Sequence, residues 1–190
     1  MRPAKKSKRI VVDTSVIKAA GDGAHPAKIC RDVLDTIYRV CHRVVLTDSV
    51  RAEWWAHPTR YLAGWRKQMD GKKKLLRCEN PPESSACRKV LAAVDAQDRH
   101  VVEKDIMLLE AALETDRIVI SLDSRTRKHI ARAADGVTEV ANVQWEDLKR
   151  ADSGSGETVL DWLRGGAELT GGNAREGRPL GRARARTEAE

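Results

Sequence analysis

Apolar and polar positions along this chain fall into short solid runs separated by longer amphipathic stretches. Ile10–Asp13 is an apolar run closed by an acid; Val44–Thr47 and Ile118–Leu122 are two more, the last ending on Asp123. Runs this short, bounded by polar residues, read as buried strands. Pro26 opens a stretch to about Val40 with Ile29, Val33, Ile37 and Val40 on one stripe, which predicts a helix. Asp48 or Ser49 can cap a helix carrying Glu53, Trp54 and Trp55, which Pro58 breaks, and a short helix follows over Tyr61–Met69. Gly21–Gly23 reads as a loop, Asp70-Gly71 as a turn and Asn80-Pro81-Pro82 as a firm loop. Ser84 or Ser85 caps a helix to about Ala96, and Asp98 opens a longer one through Leu113. Ser124–Ala134 is a helix stopped by Gly136, and Thr138–Val143 is a last strand. Strands alternating with helices predict an α/β fold, with a parallel sheet covered on both faces.

The length, 190 residues, suits one domain with appendages. These are a basic extension over 1–8, a domain over 9–150 and a Gly/Arg-rich tail over 151–190. That tail holds eight Gly and little apolar periodicity beyond Val159–Leu163, which predicts one short helix; its end, "REGRPLGRARARTEAE", has the composition of disordered chain. Phe is absent, so the core must be Val, Ile, Leu and Ala with some of the five Trp. No apolar run approaches the ~20 residues of a membrane span. Met1–Arg9 is basic but leads into a strand, so it does not read as a signal peptide. Cys30, Cys41, Cys78 and Cys87 show no CxxC spacing and read as reduced thiols of a cytoplasmic protein. Cys41 beside His42 lacks the partner motif a metal pair would need.

Charge changes the picture more than composition does. The net +7 is uneven: residues 1–9 carry +5, 60–77 carry +6 and 175–186 carry +4, which leaves −8 on the rest. An acidic centre flanked by basic stretches suits an anionic polymer held around a metal site, and equally a solvated surface with basic tails.

In an open parallel sheet, ligands bind beyond the carboxyl ends of the strands. Asp13 and Asp123 both sit at such ends, and Glu53 lies early in the helix after the second strand. Asp105 falls on the stripe of Val101, Leu108 and Ala112, where an acid is costly unless paired or bound to metal. Each acid also has a plain reading: turn residue, solvated helix residue, partner of Lys104 or Arg99, helix cap. Should all four converge at 4–5 Å, each pair would repel by roughly 3–4 kcal/mol at an effective dielectric of 20. Such a cluster protonates or holds cations, and all-oxygen ligands suit Mg²⁺ or Mn²⁺. Such ions can activate water and stabilise the leaving oxygen in phosphodiester hydrolysis. Thr14 and Ser15 are placed to hydrogen-bond an acid or a metal-bound water.

"VVDTSVI", "LTDSVRAEW" and "KDIMLLEAALETDRIVISLDS", in this order, resemble a PIN domain over about residues 9–145. That resemblance implies a three-layer α/β/α sandwich with a central parallel sheet and a Mg²⁺- or Mn²⁺-dependent endoribonuclease. It puts Asp13, Glu53, Asp105 and Asp123 at the metal-binding acidic positions and Ser15 at the supporting hydroxyl position. Many bacterial members are toxins of toxin–antitoxin pairs, often dimeric and inhibited by a small partner. The basic N-terminal extension and the tail after Arg150 depart from that pattern.

Trp54, Trp55, Tyr61 and Trp65 interleave with Arg60, Arg66, Lys67, Lys72, Lys73, Lys74 and Arg77. Aromatics stack on unpaired bases and cations follow a nucleic-acid backbone; the plainer reading makes the aromatics core or dimer face. "GKKKLL" is expected beside the acids, in contact with phosphate. His100 and His129 read as helix-surface residues. Nothing here reads a 2′-hydroxyl, so RNA and DNA both stay open. The competing class is a non-catalytic scaffold of the same fold that binds RNA or a partner. A phosphorylated signalling domain would want an acid pair before Asp13, and Lys8-Arg9-Ile10 supplies none.

Overall fold

The solid apolar runs become strands because every residue after the first is buried on both faces. The computed structural model describes residues 7–22, 26–149 and 158–168. Its strands are β1 (Arg9–Val12), β2 (Arg43–Leu46), β3 (Leu75–Arg77), β4 (Ile118–Ser121) and β5 (Gln144–Asp147). Its helices are α1 (Thr14–Asp22), α2 (Ala27–Arg39), α3 (Asp48–Ala56), α4 (Arg60–Gly71) and α5 (Ser85–Ala93). These are followed by α6 (Ala96–Leu113), α7 (Ser124–Ala133), α8 (Thr138–Ala141) and α9 (Val159–Gly165). The strands form one sheet in the order β3-β2-β1-β4-β5, and every pairing is parallel.

Parallel neighbours need long crossovers, and pairs of helices supply them. The chain moves outward from β1 to β2 to β3, then returns past β1 to β4, with Ile10 opposite both Val44 and Ile118. That reversal opens a crevice at the carboxyl ends of β1 and β4. The fold is therefore the expected α/β/α sandwich. Its core is aliphatic, with Trp54 and Trp145 fully buried and Trp54 packed 6.1 Å from Trp65 between ring centroids.

Several local expectations need correction. Thr14–Asp22 is a helix, and Gly21 lies inside it. A Cβ on Gly21 would fall 2.2 Å from Thr59 Cγ2, so this glycine serves a close approach of two segments and not a turn. The α3 cap is Thr47, whose hydroxyl accepts from Val50 N at 3.3 Å, one residue before the expected Asp48. Asp70-Gly71 closes α4; the reversal falls at Lys73, in the left-handed region at φ 54°. The three-residue edge strand β3 follows at once and carries too few residues to show a period. Thr138–Ala141 is helical, and the last strand is Gln144–Asp147, all of it buried. Its polar residues hid it.

The amino rim of the sheet is closed by two contacts. His42 is fully buried; its Nδ1 accepts from Lys8 N at 3.1 Å and its Nε2 donates to Leu163 O at 2.8 Å, which ties α9 to β1. This leaves neither ring nitrogen for a metal shared with Cys41. The Lys74 ammonium donates to Ile37 O at 3.1 Å, Tyr38 O at 2.8 Å and Val40 O, capping the C-terminus of α2. A cation there also meets the negative end of the helix dipole. All four cysteines are free thiols. No helix among the described residues is long and apolar enough to cross a membrane. Most of the basic N-terminal extension and the Arg-rich end lie outside the described residues.

Loss of those three charged hydrogen bonds sets a first expectation. Lys74→Met lowers stability in urea denaturation by about 1–3 kcal/mol, whereas Lys67→Met at an exposed position stays within about 0.5 kcal/mol.

Candidate acidic site at the carboxyl rim of the sheet

Asp13 follows β1 directly and is only 6% exposed. Its backbone N–H donates to Ile120 O at 3.0 Å, carrying the β1–β4 pairing one residue past the strand. Its Oδ2 accepts from the Ser15 hydroxyl and from Ser121 Oγ at 2.6 Å, and its Oδ1 accepts from Ser15 N at 3.2 Å. Ser15 Oγ accepts from Leu122 N at 3.1 Å and Ser121 Oγ from Asp123 N at 2.8 Å. Two hydroxyls thus stitch the ends of β1 and β4 together around one carboxylate.

Glu53 comes from α3, delivered to the rim by β2. Its Oε2 accepts from Thr14 Oγ1 at 3.0 Å, and the next residue, Trp54, anchors the helix by donating from Nε1 to Val12 O at 3.1 Å. Asp105 and Asp123 share a third hydroxyl: Thr126 Oγ1 lies 2.8 Å from Asp105 Oδ2 and 3.1 Å from Asp123 Oδ2. One proton serves two carboxylates there, so it bonds to one of them at a time. Asp123 is also the cap of α7, its Oδ1 accepting from Arg125 N at 2.8 Å and Thr126 N at 3.0 Å. Its plain reading as a cap holds, and the cap also lies beside Asp105.

Asp105 shows how closely the four acids are coupled. Burial, then the charges of Asp13, Asp123 and Glu53, raise its carboxyl to about 6 against the Thr126 hydrogen bond, which acts the other way. The fold therefore brings together all four acids singled out in the sequence, with Ser15 among them. None of the four makes an ion pair among the described residues, and the expected alternative partner Arg99 donates from Nε to Leu91 O instead. The core stripe of α6 runs through Val102, Leu108, Leu109 and Ala112, one position off the expected line at its start, and Asp105 lies within it, three residues after Val102 and four before Leu109, half-buried. The donor set is all oxygen and four-fold negative, which suits a hard divalent cation. The side chains as they stand, each turned to a hydroxyl, do not form a ligating group: among the described residues no three Asp, Glu, His or Cys are arranged to hold a metal ion.

Three participants went unnoticed in the sequence. Ser121 was visible as the polar end of an apolar strand. Thr126 was visible as the third residue of a helix capped by an acid, where a side chain can turn back toward the cap. Asp147 ends β5 beside Ser121, 6% exposed, and its Oδ2 accepts from Ser124 Oγ at 2.5 Å. The misplaced last strand concealed it.

The basic residues divide between the two rims. Lys72, Lys73 and Lys74 precede β3, and Lys74 O accepts from Val44 N near the start of β2, so they lie at the amino rim, opposite the acids. The expectation that "GKKKLL" sits beside the site is corrected. A parallel β3 forces it, because whatever enters that strand lies at the far end from where the acids leave theirs. Lys72 Nζ instead sits 3.9 Å from the Tyr38 ring centroid. Arg60, Arg66 and Lys67 lie on α4. Of the aromatics, Trp54 and Trp65 are core, Tyr61 donates to Asp35 Oδ1 at 3.1 Å, and Trp55 is 44% exposed. His100 is exposed, and His129 Nδ1 lies 3.7 Å from Asp98.

The PIN domain family model matches residues 10–133, from β1 to the end of α7, and the chain belongs to that family. Among solved structures the chain is similar to VapBC2 from Rickettsia felis bound to a DNA fragment from their promoter. That likeness has 11% identity and a TM-score of 0.35, and covers 60% of this chain and 88% of that one. No curated protein matches the chain. PIN domains are generally nucleases that use divalent metal ions.

The raised carboxyl has a consequence for stability in the absence of metal. An acid whose value rises on folding adds stability at low pH and loses it as pH climbs from the ordinary carboxylate value of 3.8 through about 6. Asp105→Asn is therefore expected to stabilise the protein in EDTA near pH 7.5, by ~1 kcal/mol after solvent screening. Near pH 3, below the ordinary carboxylate value, the variant and the unmodified protein should melt together. Equal melting at both pH values would show that neither burial nor the other three charges hold the Asp105 carboxyl above its ordinary value.

Proposed function

We propose that this PIN domain is a divalent-metal-dependent endoribonuclease that hydrolyses phosphodiester bonds in RNA. The observation that carries the reading is the gathering at the β1–β4 switch point of four carboxylates that make no ion pair among the described residues, with Asp105 raised to about 6 by burial first and then by the charges of the other three. Asp13, Glu53, Asp105 and Asp123 would hold Mg²⁺ or Mn²⁺. Such an ion, when bound, supplies an activated water and neutralises charge on the phosphodiester. The chain's own part is positional. Ser15 and Ser121 fix the Asp13 carboxylate, Thr14 fixes Glu53, and Thr126 tethers Asp105 and Asp123. These hydroxyls hold the acids at one rim, and binding a metal would turn the carboxylates from the hydroxyls toward the ion.

RNA as substrate, a toxin role with a small inhibitory antitoxin, and a homodimer are supported by family membership. The four free cysteines support a reducing, cytoplasmic location. A second reading, the non-catalytic scaffold binding RNA or a partner, is favoured by one observation: no three of these acids stand in a ligating arrangement.

Labelled RNA incubated with Mg²⁺, Mn²⁺ or EDTA separates the two. Cleavage is expected with either metal and none with EDTA. Asp13→Asn and Asp105→Asn should each lower the rate by at least about 100-fold. Ser15→Ala, which frees one side of Asp13, should lower it by about 10-fold. RNA binding without cleavage under any of these conditions would establish the scaffold.

A further inference from the structure

We propose that Trp55 and Arg66 form a stacking station for one unpaired base of a single-stranded RNA whose neighbouring phosphates lead across α3 to the acidic rim. This rests on the reading of RNA as substrate and adds where the strand is gripped.

Three observations converge on this pair. Trp55 is 44% exposed and is the exposed large hydrophobic side chain among the described residues. The other four tryptophans are buried: Trp54 and Trp145 at 0%, Trp65 and Trp162 at 3%. Packing explains those four and leaves Trp55 unexplained. The guanidinium of Arg66 lies over the Trp55 ring, its central carbon 4.1 Å from the centroid. It makes no ion pair among the described residues, and its Nη1, shielded from solvent, has no hydrogen-bond partner. The cation is thus held by the ring and not by a carboxylate, so its charge remains available to an incoming anion. Arg60 and Lys67 on the same helix are exposed, and neither makes an ion pair among the described residues.

Chemistry selects the occupant. A flat aromatic surface backed by a cation stacks a base from one side while the cation attracts the flanking phosphate. The apolar surface is a single indole, which suits one base; a protein face would bury several apolar side chains around it. Position supports the same occupant. Trp55 comes two residues after Glu53 on α3, so the two lie on opposite flanks of one helix. A helix is about 10–12 Å across with its side chains, roughly the span of three stacked nucleotides. A strand stacked on Trp55 therefore reaches the carboxylates without crossing the sheet. The amino-rim lysines cannot serve that strand.

The test measures binding apart from cleavage. A short unstructured RNA is titrated in EDTA into the unmodified protein, Trp55→Ala, Trp55→Phe, Arg66→Gln and Lys72→Ala. Trp55→Ala is expected to weaken binding about 5- to 150-fold, and Trp55→Phe to recover most of the loss. Arg66→Gln should reduce the slope of log affinity against log salt by about 0.7. Lys72→Ala should leave affinity nearly unchanged. In the unmodified protein, iodide quenching reads Trp55 selectively because the other indoles are buried, and saturating RNA should protect it. Duplex RNA of the same sequence should not. Unchanged affinity in Trp55→Ala, or iodide quenching indifferent to saturating single-stranded RNA, overturns the proposal. If Trp55 is protected but the unmodified protein never cleaves with metal, the station stands and the nuclease reading falls. If cleavage needs metal while Trp55→Ala binds and cleaves normally, the nuclease reading stands and the station falls.

Discussion

The Asp13 carboxylate, held between two serine hydroxyls at the end of β1, is the contact on which the rest of the site depends. It is nearly buried, so it must be hydrogen-bonded, and its bonds come from both sides of the switch point. Ser15 belongs to the first turn of α1 and Ser121 to the end of β4. Both hydroxyls also accept from backbone N–H groups of the β4–α7 turn. One small network therefore sets the start of α1, the spacing of β1 and β4, and the path of the chain into Asp123.

The other acids are placed relative to that network by separate devices. Glu53 depends on α3 keeping its register, which the Trp54 indole secures through the Val12 carbonyl. Asp105 rides within the buried stripe of α6, and Thr126 joins it to the capped end of α7. Each acid is thus tied to a rigid element by hydroxyl or cap contacts. The cost of gathering them appears at Asp105, whose ionised form is disfavoured first by burial and then by its three neighbours.

Charge is distributed in keeping with this polarity. The acids occupy one rim of the sheet and the lysine run the other, where Lys74 neutralises the end of α2. On the sequence alone the lysines look like the strongest phosphate contacts in the chain. Their placement turns Lys74 into a helix cap and Lys72 into the partner of a tyrosine ring. Arg66, less conspicuous in the sequence, is the cation with an exposed aromatic partner.

By itself the sequence determined the alternation of strands and helices, the parallel sheet and the acids that end β1 and β4. These follow from local periodicity and from where a polar residue interrupts an apolar run, and both are properties of neighbouring residues. It also singled out Asp105, because an acid near a core stripe calls for a partner. Only the tertiary structure decided that β3 and β5 exist where they do, since a three-residue edge and a buried polar strand carry no period of their own. It alone assigned Gly21 to a close approach with Thr59, brought Ser121 and Thr126 into the site, and sent the lysine run to the far rim. Each of these depends on which segments meet across the sheet, and contacts between residues distant along the chain leave no local pattern to read.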